Sequence, residues 1–161
     1  MLSSAEHGMK VGTMKDVSAV IILICLLAVR VSWADEGYIG SIKTLEGTVE
    51  VTRQTGTVYP SAGTRLFGRD TVKTGHDGMV GIILRDDTIF SLGPDSTLEM
   101  KEFRFDPHKR DFSLVCRMLQ GTFIFISGVM AKLSPESIKL ETPDGTVAIR
   151  GTRLAVQIQN K

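Results

Sequence analysis

The feature that most restricts the fold is an alternation of period two that returns along the chain after residue 35, cut by glycine turns. Val49 and Val51 alternate with Glu50 and Thr52. Val80, Ile82 and Leu84 share one parity, with Gly81 and Ile83 on the other. Thr88–Leu92, Ser96–Met100, Ile138 with Leu140, Val147 with Ile149, and Leu154, Val156 and Ile158 repeat the pattern. Large apolar and β-branched residues at every second position suit half-buried strands. About ten strands of roughly 4–7 residues predict an all-β sandwich, barrel or solenoid. Beyond residue 35 there is no helical stripe; Val129–Leu133 offers one helical turn at most.

The turns carry as much information as the strands. After residue 35, Gly47, Gly56, Gly63, Gly121, Gly145 and Gly151 are each followed by threonine. Glycine supplies positive φ at a turn, and threonine suits the first position of a strand. The spacing is too irregular for a strict repeat. Asp77-Gly78 and Asp144-Gly145 are hairpin-type signals. The polar break Asp106–Asp111 predicts that Phe103–Phe105 pairs with Phe112–Met118 across a solvated tip. Phe123-Ile124-Phe125-Ile126 is continuously apolar. It reads as a strand buried on both faces, with a second face that meets a partner as the alternative.

The N-terminus has the layout of an export signal. Met14-Lys15 precedes an apolar run from Val17 to Val29, broken only by Ser18. That run is short for a bilayer span of ~20 residues and suits a signal-peptide core. Ser32-Trp33-Ala34 supplies small residues at the two positions a signal peptidase reads, so residues 1–34 are expected to leave and Asp35 to begin the mature chain. The alternative is an uncleaved anchor, the only membrane contact the sequence suggests. Both place residues 35–161 outside the cytoplasm, in the periplasm or secreted. Met9 and Met14 are alternative starts. Cys25 follows Ile24, where a lipoprotein signal needs a small residue, and would depart with the signal. Cys116 would then be the single cysteine of the mature chain, at an apolar alternate position that reads as a buried small hydrophobe.

Charge and motifs remove several function classes. The whole chain has 161 residues and a formal net charge of +1. Without Lys10, Lys15 and Arg30, and without Glu6 and Asp16, acid and base balance, and no basic stripe offers a footprint for nucleic acid. No nucleophile elbow, zinc-protease helix, phosphate loop or dinucleotide fingerprint occurs. His76 with Asp77, or Asp86 with Asp87, would be the material for a metal site but lack ligand spacing. Tyr38 and Tyr59 alone would serve a sugar-stacking platform. The expectation is therefore no catalytic residue, no metal ligand, no cofactor and no enzyme activity.

The ordered motifs resemble the FecR-domain family. Gly47–Arg53 is similar to its opening strand, and Gly68–Gly75 to its G-D-x-V-x-T-G segment. Asp77–Leu84 resembles the strand that follows, and Asp86–Pro94 the D-G-S-x-x-x-L-G-P turn and strand. Leu119-Gln120-Gly121 resembles a short L-x-G signature. Thr142-Pro143 with Ile149–Val156 resembles the closing T-P … V-R-G-T-x-F-x-V. The resemblance spans residues 47–158 and departs at Asp86-Asp87-Thr88, where glycine is lost and Asp can still take the left-handed conformation at some cost. It implies a twisted, solenoid-like stack of short strands, with a sandwich as alternative. It further implies a periplasmic protein-binding module of a sensory or envelope assembly. A structural or cell-wall-glycan-binding β module and an enzyme with a dispersed site are the competing classes. The 16 residues before the apolar run are too few for the cytoplasmic anti-sigma segment of FecR regulators. Arg150-Gly151-Thr152 and Gly93-Pro94-Asp95-Ser96 are expected to shape turns, with Arg150 capping carbonyls and Asp95 bonding to backbone beyond it. The partner, an unidentified envelope protein, is expected to add a strand at Leu154–Ile158 or at Tyr38–Ile42, the alternative being that these ends pair with each other or with interior strands and close the stack.

Overall fold

Most of the turn chemistry is realised: Asp144-Gly145 closes a hairpin, whereas Asp77-Gly78 joins two strands that do not pair with each other, because each finds its partners elsewhere in the sheet. A computed structural model describes residues 37–147, 149 and 151–159, within a unit that runs Gly37–Lys161. All six glycines that precede threonine have positive φ, from 63° at Gly47 to 156° at Gly145. Asp87, at the position where the family motif has glycine, takes φ 65°. Strand accounts for 61% of the described residues and helix for 6%, so the chain is all-β.

The strands are β1 (Tyr38–Glu46), β2 (Val49–Arg53), β3 (Gly56–Val58), β4 (Arg65–Phe67), β5 (Thr71–Thr74) and β6 (Met79–Leu84). They continue as β7 (Ile89–Leu92), β8 (Thr97–Asp106), β9 (Asp111–Ile126), β10 (Ile138–Thr142), β11 (Gly145–Val147) and β12 (Arg153–Ile158). One helical turn, Met130–Leu133, lies where the sequence allowed one. Neighbouring strands run in the order β3-β2-β5-β8-β9-β7-β6-β1-β4, with β10 and β12 attached to β9 and β11 to β10. The sheet is antiparallel except where β10 runs parallel to β9, and it curls into a half-barrel.

The long strand β9 makes the curl. Its first half pairs with β8 and β10, its second half with β7 and β12. Leu114, Cys116 and Met118 face the core on even numbers, whereas Phe123 and Phe125 do so on odd numbers. A bulge supplies the phase change: Gln120 pairs with Thr97 and Met118 with Leu98, so Leu119 has no opposite residue. Gly121 follows at φ 100°. The expected hairpin forms as well, with Phe105 opposite Phe112 and Asp106 opposite Asp111.

The concave side holds the core. Ile42, Val51, Leu66, Val72, Ile82, Phe90, Leu98, Met118, Phe123, Phe125 and Leu140 are buried from every part of the sheet. The Phe90 and Phe125 rings meet edge to face at 5.1 Å. Arg53 draws the ends of the strand order together. From the end of β2 its Nε donates to Asp70 Oδ2 at 3.1 Å, its Nη2 donates to the Arg65 carbonyl at 2.5 Å, and its guanidinium lies 4.9 Å from the Phe67 ring centroid. Asp70 also accepts the Phe67 N–H at 3.0 Å. A half-buried arginine thus bridges strands that share no backbone ladder.

Candidate functional site

Five polar residues of the motifs and their turns sit inside the fold, where they lock turns. Asp70, Thr74, Asp86, Thr88 and Ser96 are all buried. At the β6–β7 turn, Asp86 Oδ1 accepts the Thr88 N–H at 3.2 Å and Oδ2 accepts the Thr88 hydroxyl at 2.7 Å. Thr88 Oγ1 accepts the Gly128 N–H at 3.1 Å, and the Asp86 carbonyl accepts the Val129 N–H at 2.6 Å. The turn is thereby fixed to the segment leaving β9. Asp86 points inward and Asp87 outward, so the two carboxylates diverge.

A second lock joins the β7–β8 turn to β5 and β9. Thr74 Oγ1 donates to the Gly93 carbonyl at 2.7 Å and accepts the Ser96 N–H at 2.8 Å. Ser96 Oγ accepts the Thr122 N–H at 3.0 Å. Asp95 takes φ 51°, and its side chain meets His76 Nδ1 at 2.9 Å; the backbone bonding expected of Asp95 falls to Ser96 instead. The Asp95 carboxylate raises the pKa of the exposed His76. Asp77 Oδ1 accepts the Thr48 N–H, which holds its carboxyl below the usual range. Among the described residues no three His, Cys, Asp or Glu side chains gather to hold a metal.

Cys116 is fully buried with its thiol 3.4 Å from Met100 Sδ, and burial pushes its pKa far up. Tyr38 carries the Arg65 and Arg85 guanidiniums 5.0 and 5.4 Å from its ring centroid, whereas Tyr59 is exposed. The expected export signal over residues 1–34, with Cys25, lies outside the described residues, as do Arg150 and the capping role expected of it.

The features open to a macromolecular partner are edges and one face. Among the described residues β3, β4, β11 and β12 each pair on one side only. β1 pairs with β4 on one side and β6 on the other, so Tyr38–Ile42 is interior and the expectation of a free edge there is corrected. Its sequence resembles an edge only because the partners lie far along the chain. Three of these four strands are three residues long, and the outer half of β8, Lys101–Asp106, which also pairs with β9 alone, is interrupted by a register shift at Lys101 and carries the charges of Lys101, Glu102 and Arg104. β12 has six residues in unbroken register with β9, from Arg153 opposite Ile126 to Ile158 opposite Gly121. Leu154, Val156 and Ile158 lie on the core side and are half-buried. Phe123 and Phe125 point inward, whereas Ile124 and Ile126 are half-buried on the convex face, Ile126 in a row with Ile89 and Ile83 and Ile124 opposite Ser91. The run is therefore not sealed on both faces.

A curled all-β sheet whose motif polar residues fasten its turns defines a scaffold class. The FecR protein family model matches residues 70–161, from Asp70 through the end of the chain, and the chain belongs to that family. The family is one of sensory and regulatory envelope-associated modules. No curated protein and no solved structure matches the chain.

Proposed function

We propose that this chain is a non-enzymatic, exported sensory module of the periplasm that works by binding another protein along the open edge of β12. The observation that carries the reading is the contrast between β12 and the other edges. Short edges, bulges and inward charges are the usual means of blocking strand addition. β3, β4 and β11 are short, and β1 shifts register beside β4. β12 has none of these devices. An added strand would gain main-chain hydrogen bonds, each contributing about 1 kcal/mol net, and Leu154, Val156 and Ile158 would select its apolar residues. Binding of a cell-wall glycan has less support, because guanidiniums already occupy the Tyr38 ring and leave Tyr59 as the remaining tyrosine.

Photo-cross-linking in intact cells tests this. A photoreactive residue replacing Gln157 on β12 is expected to capture a protein, whereas one at Lys73, an exposed site on interior strand β5, is expected to capture none. Equal capture from both positions, or none from Gln157, would overturn the reading.

A further inference from the structure

An unblocked edge strand is complementary to any strand of matching pattern, and β12 matches itself. In an antiparallel pair related by a twofold axis, residue i of one copy faces j of the other and j faces i. Residues directly opposite share a face of the sheet, so only registers that place even numbers opposite even numbers keep core side against core side. With Val156 opposite its own counterpart, Leu154 lies opposite Ile158 and Ala155 opposite Gln157. The three core-side apolar residues then meet apolar residues only. The single charge of β12, Arg153, falls opposite Gln159, so no like charges meet. Of the two neighbouring face-preserving registers, one leaves Ile158 opposite Thr152, and the other leaves Leu154 opposite Asn160 and Arg153 opposite Lys161, so both are poorer matches.

The same register completes the core. Leu154, Val156 and Ile158 pack against the buried cluster but remain half-exposed at its rim. The identical rim of a second copy would cover them, and the half of the sheet that ends in β12 would run on into its mate.

We propose that the occupant of the β12 edge is a second copy of this chain, paired antiparallel about Val156. This rests on the reading of β12 as the docking edge and names the partner there. The test is oxidative cross-linking of the full chain in a Cys25→Ala, Cys116→Ala background. Opposed residues on antiparallel strands have Cα atoms about 4.5 or 5.5 Å apart, both within the span of a disulfide. Val156→Cys is expected to give a disulfide-linked species of twice the chain mass under mild oxidation. Met79→Cys, at an exposed position on β6, is expected to stay monomeric. Sedimentation should show a dimer for the native chain and a monomer for Val156→Pro, with the circular dichroism of the variant checking that the sheet is retained. Absence of the Val156→Cys dimer, or an equal yield from Met79→Cys, would overturn the second-copy proposal. Capture of a protein of different mass from Gln157 would overturn it while leaving the docking edge in place.

Discussion

Replacing Gly121 with alanine is expected to lower the stability of the domain by about 2–5 kcal/mol, a large part of the ~5–15 kcal/mol a domain commonly has. Two effects add. Gly121 has φ 100°, which an L side chain adopts at a cost of about 1–2 kcal/mol. A Cβ there would also run into the Cα, Cβ and Oγ of Ser96. Ser96 cannot retreat freely, because its hydroxyl accepts the Thr122 N–H and its own N–H is held by Thr74 Oγ1. Gly63→Ala separates the terms. It precedes threonine in the same way, at φ 88°, but a Cβ there meets nothing within 4 Å. Only the backbone cost of about 1–2 kcal/mol is expected for it. Urea unfolding measures both, and equal losses for the two variants would contradict the role given to the Ser96 contact.

Removing the Asp86 carboxylate is expected to cost about 2–4 kcal/mol, since it strands buried donors. Asp86→Ala leaves the Thr88 N–H and hydroxyl without their acceptor, in a place where both residues are buried. It also loosens the turn from Gly128 and Val129, which hold the segment leaving β9. Asp86→Asn keeps one acceptor oxygen and should lose roughly half as much. Midpoints of urea unfolding should rank native, Asp86→Asn, Asp86→Ala in falling order. A stable Asp86→Ala with lost binding would instead assign the carboxylate to a ligand.

Both residues show how far the sequence could be read. Local turn chemistry was plain: Gly before Thr foretold positive φ at six positions, and loss of the motif glycine foretold the left-handed Asp87. The hairpin around Asp106–Asp111 followed from a polar break between aromatic segments. Features set by distant contacts were not legible. Phe112–Met118 and Phe123–Ile126 read as two strands, because Gly121 before Thr122 carries the turn signal of the other glycine-threonine pairs. They form one strand whose bulge changes the parity that faces the core. Nothing near Tyr38 announces that its strand is enclosed by residues 65–67 and 79–84. The motif threonine, serine and aspartates read equally well as surface turn residues; their burial depends on partners as many as 40 positions away. Arg53 gave no signal at all, since its bridge to Asp70 exists only once the sheet has curled.

Hydrogen exchange along β12, resolved to single amides in the full chain, tests most directly whether this edge is where the domain is engaged. Amides of β12 that face β9 should be protected at every protein concentration. Those that face away should exchange as freely as unpaired peptide when the chain is dilute, and should become protected as β12 is occupied on concentration or in the cell envelope. Protection of the outward amides in dilute solution would mean that the edge is already closed. Unchanged rapid exchange under all conditions would mean that nothing docks on it.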